Sequence, residues 1–537
     1  MGFDSLVDEY LAWVIATDPT RATFLGADGY DDLVPDLSAA GFASRHAAQD
    51  TFAERFKAFD EGELSASEQI DRDLVLSHLR GTQILRDFEA WRRNPDMYLS
   101  PILMGTFGLF VRRLRPEAEL AASAVRRLDQ APLLIREAQA NLDPAIASPL
   151  MVRRAAGQCR AAVTWCRDLL PREVADEKTR AAVARAGERA AAALEGFGSF
   201  LADLETHARG EWAIGEERYS ALLRERELLA DDAAALNQRG AAAHAELDLE
   251  LRALTVEHFD SSDWRAILET VNADRPHTPE EMLAGYTAAT ARCREFLVEH
   301  GLVTFPDGES CSVEPSAPFE RPVLAVASYF APPALRPTVA GRFNVPYPPE
   351  GTTDAELADR LADNSNPSMA TTSVHEAYPG HHWHFSHLQV AASPLRRIVT
   401  STYFVEGWAL YTEKMMREEG FFASPAEVLC HLDARIFRAA RIVVDTGLHC
   451  GELDFDQAVE TMSTKTGMTP TVARAEVTRY CAWPTQAAAY LTGSLEIEAI
   501  REDWFAAKRG SLREFHDTIA GAGALPLGLA RRATLAS

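Results

Sequence analysis

The stretch His375-Glu376-Ala377-Tyr378-Pro379-Gly380-His381-His382-Trp383-His384 decides how the rest of the chain is read. Five of the 15 histidines, His375, His381, His382, His384 and His387, fall within thirteen positions, and Glu376 follows the first directly. Imidazole is the commonest protein ligand of zinc. A carboxylate beside a ligand histidine can hold and deprotonate water at the metal, the logic of a His-Glu-x-x-His helix. Here the second histidine stands six or seven positions on, not four. On a regular helix a step of six lands roughly 120° away from the first ligand, and a step of seven roughly 20° away but about 10 Å along the axis. Regular geometry favours His382. Pro379 removes an amide donor and Gly380 relaxes the dihedral limits, so a kink would bring His381 round instead. Both stay candidate ligands beside His375, with His381 ahead, and Glu376 is the candidate base. The bland alternative is a histidine-rich amphipathic segment without a metal.

A third ligand is expected from a helix shortly downstream, and Phe404-Val405-Glu406-Gly407-Trp408-Ala409-Leu410-Tyr411-Thr412-Glu413 supplies Glu406. A carboxylate among apolar and aromatic neighbours is costly unless it is paired, hydrogen-bonded or metal-bound. Glu413 reads as a structural or supporting group, and a buried ion pair is the alternative role for Glu406.

Two further segments have the texture of a site. Arg441, Asp445 and His449 recur at steps of four, one stripe of a helix, which either orients His449 toward substrate as a candidate catalytic group that helps steady an oxyanion or ties the interior together as an ion-pair ladder. In Arg479-Tyr480-Cys481-Ala482-Trp483-Pro484-Thr485-Gln486, continuing to Tyr490 and Gly493, Gln486 and Tyr490 share a helix face after a proline. A tyrosine hydroxyl suits an oxyanion formed when water attacks a carbonyl, so Tyr490 is a candidate catalytic donor; ordinary aromatic packing is the alternative. Arg441, Tyr480 and Gln486 are taken as candidate substrate contacts.

The rest of the chain sets limits. With 537 residues a large core is affordable, and 54 basic against 79 acidic residues, a net charge of −25, disfavour nucleic acid and anionic membranes as partners. Seven scattered cysteines without a CxxC pair read as reduced core residues. No basic or apolar leader pattern opens the chain, so the expected address is the cytoplasm, and no transmembrane helix is expected. Residues 1–275 have helical periodicity almost throughout and form an expected helical lobe; 276–537 would be the catalytic lobe of what is read as one integrated fold. Prolines between about 300 and 350 exclude long helices there. Val323-Leu324-Ala325-Val326-Ala327-Ser328-Tyr329-Phe330 and Ala340-Gly341-Arg342-Phe343-Asn344-Val345 are strand candidates of a small sheet near residues 320–346.

Taken together, His-Glu-Ala-Tyr-Pro-Gly-His-His, Val-Glu-Gly-Trp-Ala-Leu-Tyr, Asp-Thr-Gly-Leu-His and Arg-Tyr followed by Pro-x-Gln-Ala and Tyr-x-x-Gly resemble the bacterial domain-of-unknown-function family 885, in order from His375 to Gly493. That family is in turn similar to helical glutamate-zincin peptidases such as thimet oligopeptidase, angiotensin-converting enzyme and carboxypeptidase Taq. The resemblance implies a mainly α, two-lobed helical shell around a deep channel with a small sheet beside it. It also implies one zinc ion held by His375, Glu406 and one of His381 or His382, Glu376 as base, Tyr490 as transition-state donor, and a short peptide or amide as substrate. The two extra residues in the zinc segment are its departure from those peptidases. A non-hydrolytic enzyme using iron or manganese on the same ligands is the alternative function, and an inactive binding protein the third. Substrate identity and oligomeric state are not legible.

Overall fold

Alanine, leucine, arginine and glutamate dominate the first two hundred residues, and in the computed structural model, which describes residues 2–321 and 326–536, they form helices joined by short turns. The helices begin where polar side chains cap them. Ser65 and Glu68 make a reciprocal capping box ahead of Ala66–Arg86, and Asp176 accepts from the Thr179 amide ahead of Glu177–His207. The molecule is mainly helical, with one three-stranded sheet among the described residues. None of those helices is long and apolar enough to cross a membrane.

The chain divides into two compact units, Met1–Ile214 with Pro333–Arg336, and Gly215–Pro332 with Pro337–Ser537. In the first, Glu117–Asn141 and Pro149–Thr164 both pack on Glu177–His207. Ala121, Ala124 and Ala131 on one helix and Ala186, Ala190 and Ala191 on another are wholly buried, so the axes approach closely while Leu128, Leu194, Phe197 and Leu201 fill the interior. The change of texture near residue 275 lies inside the second unit. The division comes earlier because helix α1 (Ala233–Phe259) packs along a much later helix, Pro425–Cys450.

After α1 the second unit continues with α2 (Pro279–His300) and the strands β1 (Ser310–Pro315), β2 (Ser328–Phe330) and β3 (Ala340–Val345). The sheet order is β1-β3-β2: β1 runs parallel to β3, Ser310 facing Ala340, and β2 antiparallel, Tyr329 facing Phe343. The β3 candidate coincides with the observed strand. Of the other candidate, Ser328–Phe330 is β2, and Val323, Leu324 and Ala325 lie outside the described residues. β1 carries no apolar run, only Ser310-Cys311-Ser312-Val313-Glu314-Pro315 with most positions exposed, as suits an edge strand.

The helices that carry the candidate site follow: α3 (Asn366–Glu376), α4 (His381–Ala391), α5 (Thr402–Glu418), α6 (Pro425–Cys450), α7 (Pro470–Ala482) and α8 (Ala489–Ala506). α5 and α8 cross where Gly407 meets Gly493; a Cβ on Gly493 would stand 2.0 Å from the Tyr403 carbonyl oxygen, so only glycine permits this approach. The crossing sets Glu406 on α5 near Tyr490 on α8.

Candidate metal centre

The segment that suggested a metal is two helices, not one. α3 ends at Glu376, the Tyr378–Pro379 bond is cis, and α4 starts at His381. Gly380 makes the turn: its amide donates to Val374 O at 3.0 Å, and a Cβ would lie 1.9 Å from His375 O. Trp408 of α5 pins the loop by donating from Nε1 to the Pro379 carbonyl at 2.9 Å. The chain therefore folds back, and the first residue of α4 faces the last turn of α3. The straight helix that favoured His382 does not form.

His375 and His381 meet with ring centroids 4.8 Å apart and planes at 86°. Both Nε2 atoms approach one oxygen of Glu406, Oε2, at 3.7 Å from His375 and 3.5 Å from His381. His375, His381 and Glu406 thus offer ligand atoms all within 4.8 Å of one another. These separations are too long for N–H···O bonds, which centre at about 2.9–3.0 Å. They are near the roughly 3.3 Å that separates two ligands on a tetrahedral zinc with bonds of about 2.0–2.1 Å. Two imidazoles and a carboxylate are also a donor set that zinc accepts, and one that iron and manganese accept too.

The electrostatics favour a cation. Burial acts to lower the His375 pKa, but Glu406 and Glu413 outweigh it and push it up to about 10. Burial acts to raise the Glu406 carboxyl, and the two histidines hold it far below the usual range instead. Glu413, seven residues and two turns along α5 from Glu406, accepts from His375 Nδ1 at 2.7 Å. That bond presents Nε2 as the free ligand atom, the arrangement in which a carboxylate orients a metal-binding histidine. His431 Nδ1 stands 3.6 Å from the other oxygen of Glu413, and the Glu413 carboxyl sits at about 2 although burial alone would raise it. Glu376, last residue of α3, has its pKa raised chiefly by burial, against the charges of His375 and His381.

Tyr490 stacks toward His375 with centroids 6.5 Å apart at 16°, and its hydroxyl is 3.5 Å from Gln486 Nε2. Gln486 Oε1 accepts from Arg479 at 2.7 Å, and Glu476 accepts from Arg479, Arg441 and the Tyr480 hydroxyl at 2.9, 2.9 and 2.7 Å. Arg441 lies over the Tyr490 ring at 4.7 Å. Arg441, Tyr480 and Gln486, expected as substrate contacts, are joined into one network that ends on Tyr490.

Two expected site residues are turned elsewhere. His382 is fully buried with Nε2 2.9 Å from Glu309 and Nδ1 2.9 Å from the Tyr329 hydroxyl, because the fold-back at Gly380 sends successive residues of α4 in different directions. His449 is equally buried. Its Nε2 donates to Tyr480 O at 3.0 Å, its ring lies 6.0 Å from Tyr219, and burial lowers its pKa to about 4. Asp445, one turn earlier, accepts from the Tyr219 hydroxyl at 2.6 Å. Glu309, Tyr329 and His431 escaped the reading of the sequence as site residues, for they stand in a loop, a three-residue strand and the early turns of α6, ahead of its motif.

Residues 19–533 match the family described as bacterial protein of unknown function, DUF885. The chain belongs to that family. Two solved structures share the fold of this DUF885 chain. One, from Shewanella oneidensis and of unknown function, has a TM-score of 0.82 at 20% identity and covers 100% of both chains. The other, from Colwellia psychrerythraea, has a TM-score of 0.84 at 19% identity over 99% of this chain and 98% of its own. Both are named "putative lipoprotein". No curated protein matches the DUF885 chain.

Proposed function

We propose that this DUF885 protein is a hydrolase that uses one zinc ion to cleave peptide or related amide bonds of short substrates. The observation that carries the reading is the convergence of His375 Nε2, His381 Nε2 and Glu406 Oε2, with Glu376 beside the first ligand and Glu413 fixing its orientation. His375, His381 and Glu406 would hold the metal, which when bound supplies Lewis-acid activation of water and of the scissile carbonyl. Glu376 accepts the proton of the attacking water; its raised pKa brings it toward the range in which a carboxylate can take a proton and return it to the leaving amine. Tyr490 donates from its hydroxyl to the oxyanion, and the chain Glu476–Arg479–Gln486 sets the direction of that hydroxyl. In this reading Arg441 and Tyr480 support Tyr490 rather than touch substrate. His375 and His381 are only 7% and 9% exposed, which favours short or extended substrates over the surface of a folded protein.

Elemental analysis of the purified full chain, followed by a screen of di- and tripeptides with and without chelator, tests the proposal. About one zinc per chain and chelator-sensitive cleavage are expected. Iron or manganese in place of zinc would shift the reading to the alternative metal chemistry. Absence of bound metal, or cleavage that chelator leaves untouched, would overturn it.

A further inference from the structure

The buried and half-buried arginines around the candidate site are paired with carboxylates: Arg435 with Glu498 at 2.6 Å, Arg441 and Arg479 with Glu476 at 2.9 Å, Arg501 with Glu418 at 2.7 Å. Arg438 is the exception. Among the described residues no carboxylate forms an ion pair with it. Its Nη1 donates to Ala434 O of its own helix at 3.0 Å, and its Nε is buried without an acceptor. The Nε–Nη2 edge, the one a guanidinium offers to a carboxylate in two parallel hydrogen bonds, therefore has no acceptor among the described residues.

Its position ties it to the metal ligands. His431, the residue that meets Glu413 behind His375, lies seven residues earlier on α6 and so on the same face, two turns away. The guanidinium carbon is 6.0 Å from the centroid of Tyr490, the ring that stacks toward His375, and 5.2 Å from that of Phe437. Its charge is felt by Glu376 and Glu413. The residue is half-buried, so the edge is partly removed from water but not sealed. An unused donor edge in such a place costs stability in the free protein, and a ligand that supplies the acceptor recovers it.

We propose that Arg438 receives a carboxylate of the substrate, so that the protein acts on short peptides or amides that carry a free carboxylate. The inference rests on the hydrolase reading for the word substrate, but the carboxylate site can be tested without turnover. A C-terminal and a side-chain carboxylate present the same group, and both are included in the test.

The experiment is calorimetric binding to the full-length Glu376→Gln protein as purified, with Arg438 intact, as R438Q and as R438K. The probes are benzoyl-Gly-Phe, its C-terminal amide, and benzoyl-Gly-Glu amide. With Arg438 intact, at least one of the two carboxylate probes is expected to bind about 10- to 100-fold more tightly than the neutral amide. The tighter of the two identifies the source of the carboxylate. R438Q should abolish the preference, and R438K should restore part of it because lysine keeps the charge without the fork. Equal binding of all three probes, or a preference that survives in R438Q, would overturn the inference. The two readings fail separately. A wild-type protein that cleaves nothing, with the Arg438-dependent preference intact, removes the hydrolase and leaves the carboxylate site; cleavage of acid and amide alike, with no preference in binding, removes the carboxylate site alone.

Discussion

Glu413 Oε1 lies 2.7 Å from Nδ1 of His375, and the same helix presents Glu406 to the other nitrogen of that ring two turns away. One imidazole is thus held between two carboxylates of α5, one expected to share the metal and the other to aim the ligand. A carboxylate that fixes the tautomer and raises the basicity of a ligand histidine contributes to affinity without touching the ion.

Glu413→Gln should therefore fold and still bind zinc, but about 10- to 100-fold more weakly. Competition with a chromophoric chelator measures it. Affinity equal to wild type would mean that the Glu413–His375 bond is structural only.

Glu376→Gln should keep its zinc and lose turnover by about 100- to 10,000-fold, because an amide can hold water but cannot take its proton. Metal content and peptide cleavage measured on one preparation decide this. Near-normal cleavage would remove Glu376 from the role of base.

Tyr490→Phe removes one hydroxyl that ends a hydrogen-bonded chain and leaves the stacking on His375 intact. The expected outcome is a fall of about 100-fold in kcat with zinc affinity and KM near wild type, the pattern of an interaction made mainly in the transition state. A rise in KM alone would make Tyr490 a binding contact instead.

Asp445 gives a prediction about pH. Burial raises its carboxyl to about 7, with the Tyr219 hydrogen bond and the Arg479 and Arg441 charges working against the shift. A raised folded-state pKa means that the native protein holds a proton the unfolded chain has lost. This group's stability is therefore complete below the unfolded value near 4 and is lost as the pH climbs to about 7. His449, lowered to about 4, has the opposite sign: its contribution is present above about 6.5 and is lost as the pH falls toward 4. The two nearly offset each other in wild type. Asp445→Asn removes one of them, so its stability relative to wild type should rise by on the order of 4 kcal/mol between pH 4 and pH 8. Urea denaturation of both proteins at the two pH values measures the difference, and a constant difference would show that Asp445 titrates normally.

The residue types of the candidate site were legible in the sequence, as was the break at Pro379 and Gly380 that put His381 ahead; the neighbours that each residue meets were not. His375, Glu376 and Glu406 stand out because histidines beside a carboxylate, and a carboxylate within an aromatic helix, need a reason to be there. Periodicity carried the helices of both units for the same local reason. The choice between His381 and His382 depended on whether a helix passes through Pro379 and Gly380, and helical arithmetic applies only to an unbroken helix. The break is decided by how closely Gly380 approaches His375 O, a contact that no spacing rule contains. Likewise, the stripe Arg441, Asp445, His449 was read correctly as one helix face. Which neighbours that face meets is set by α7 and α8, so Arg441 went to Glu476 and His449 to the Tyr480 carbonyl. β1 escaped because a short polar edge strand next to prolines has no apolar alternation to detect.

The last prediction separates the two adjacent histidines by different readouts. His381 Nε2 faces Glu406 Oε2 and lies across from His375, so His381→Ala takes away a ligand. His382 instead lies between two partners, with Nε2 2.9 Å from Glu309 and Nδ1 2.9 Å from the Tyr329 hydroxyl. Glu309 is 2% exposed at its side chain and also accepts from Tyr378 and Arg294, which together with His382 keep its carboxyl ionised against the effect of burial. His382→Ala therefore leaves a buried carboxylate short of one donor, a loss of about 1–3 kcal/mol, without removing a ligand. His381→Ala should weaken zinc binding by far more than His382→Ala, while His382→Ala should lower the melting temperature of the metal-free protein by more than His381→Ala. Zinc titration and thermal melts of the two metal-free variants give both answers. A larger loss of zinc affinity in His382→Ala would show that the fold-back at Gly380 does not hold in solution and that the metal takes its second nitrogen from the continuous helix.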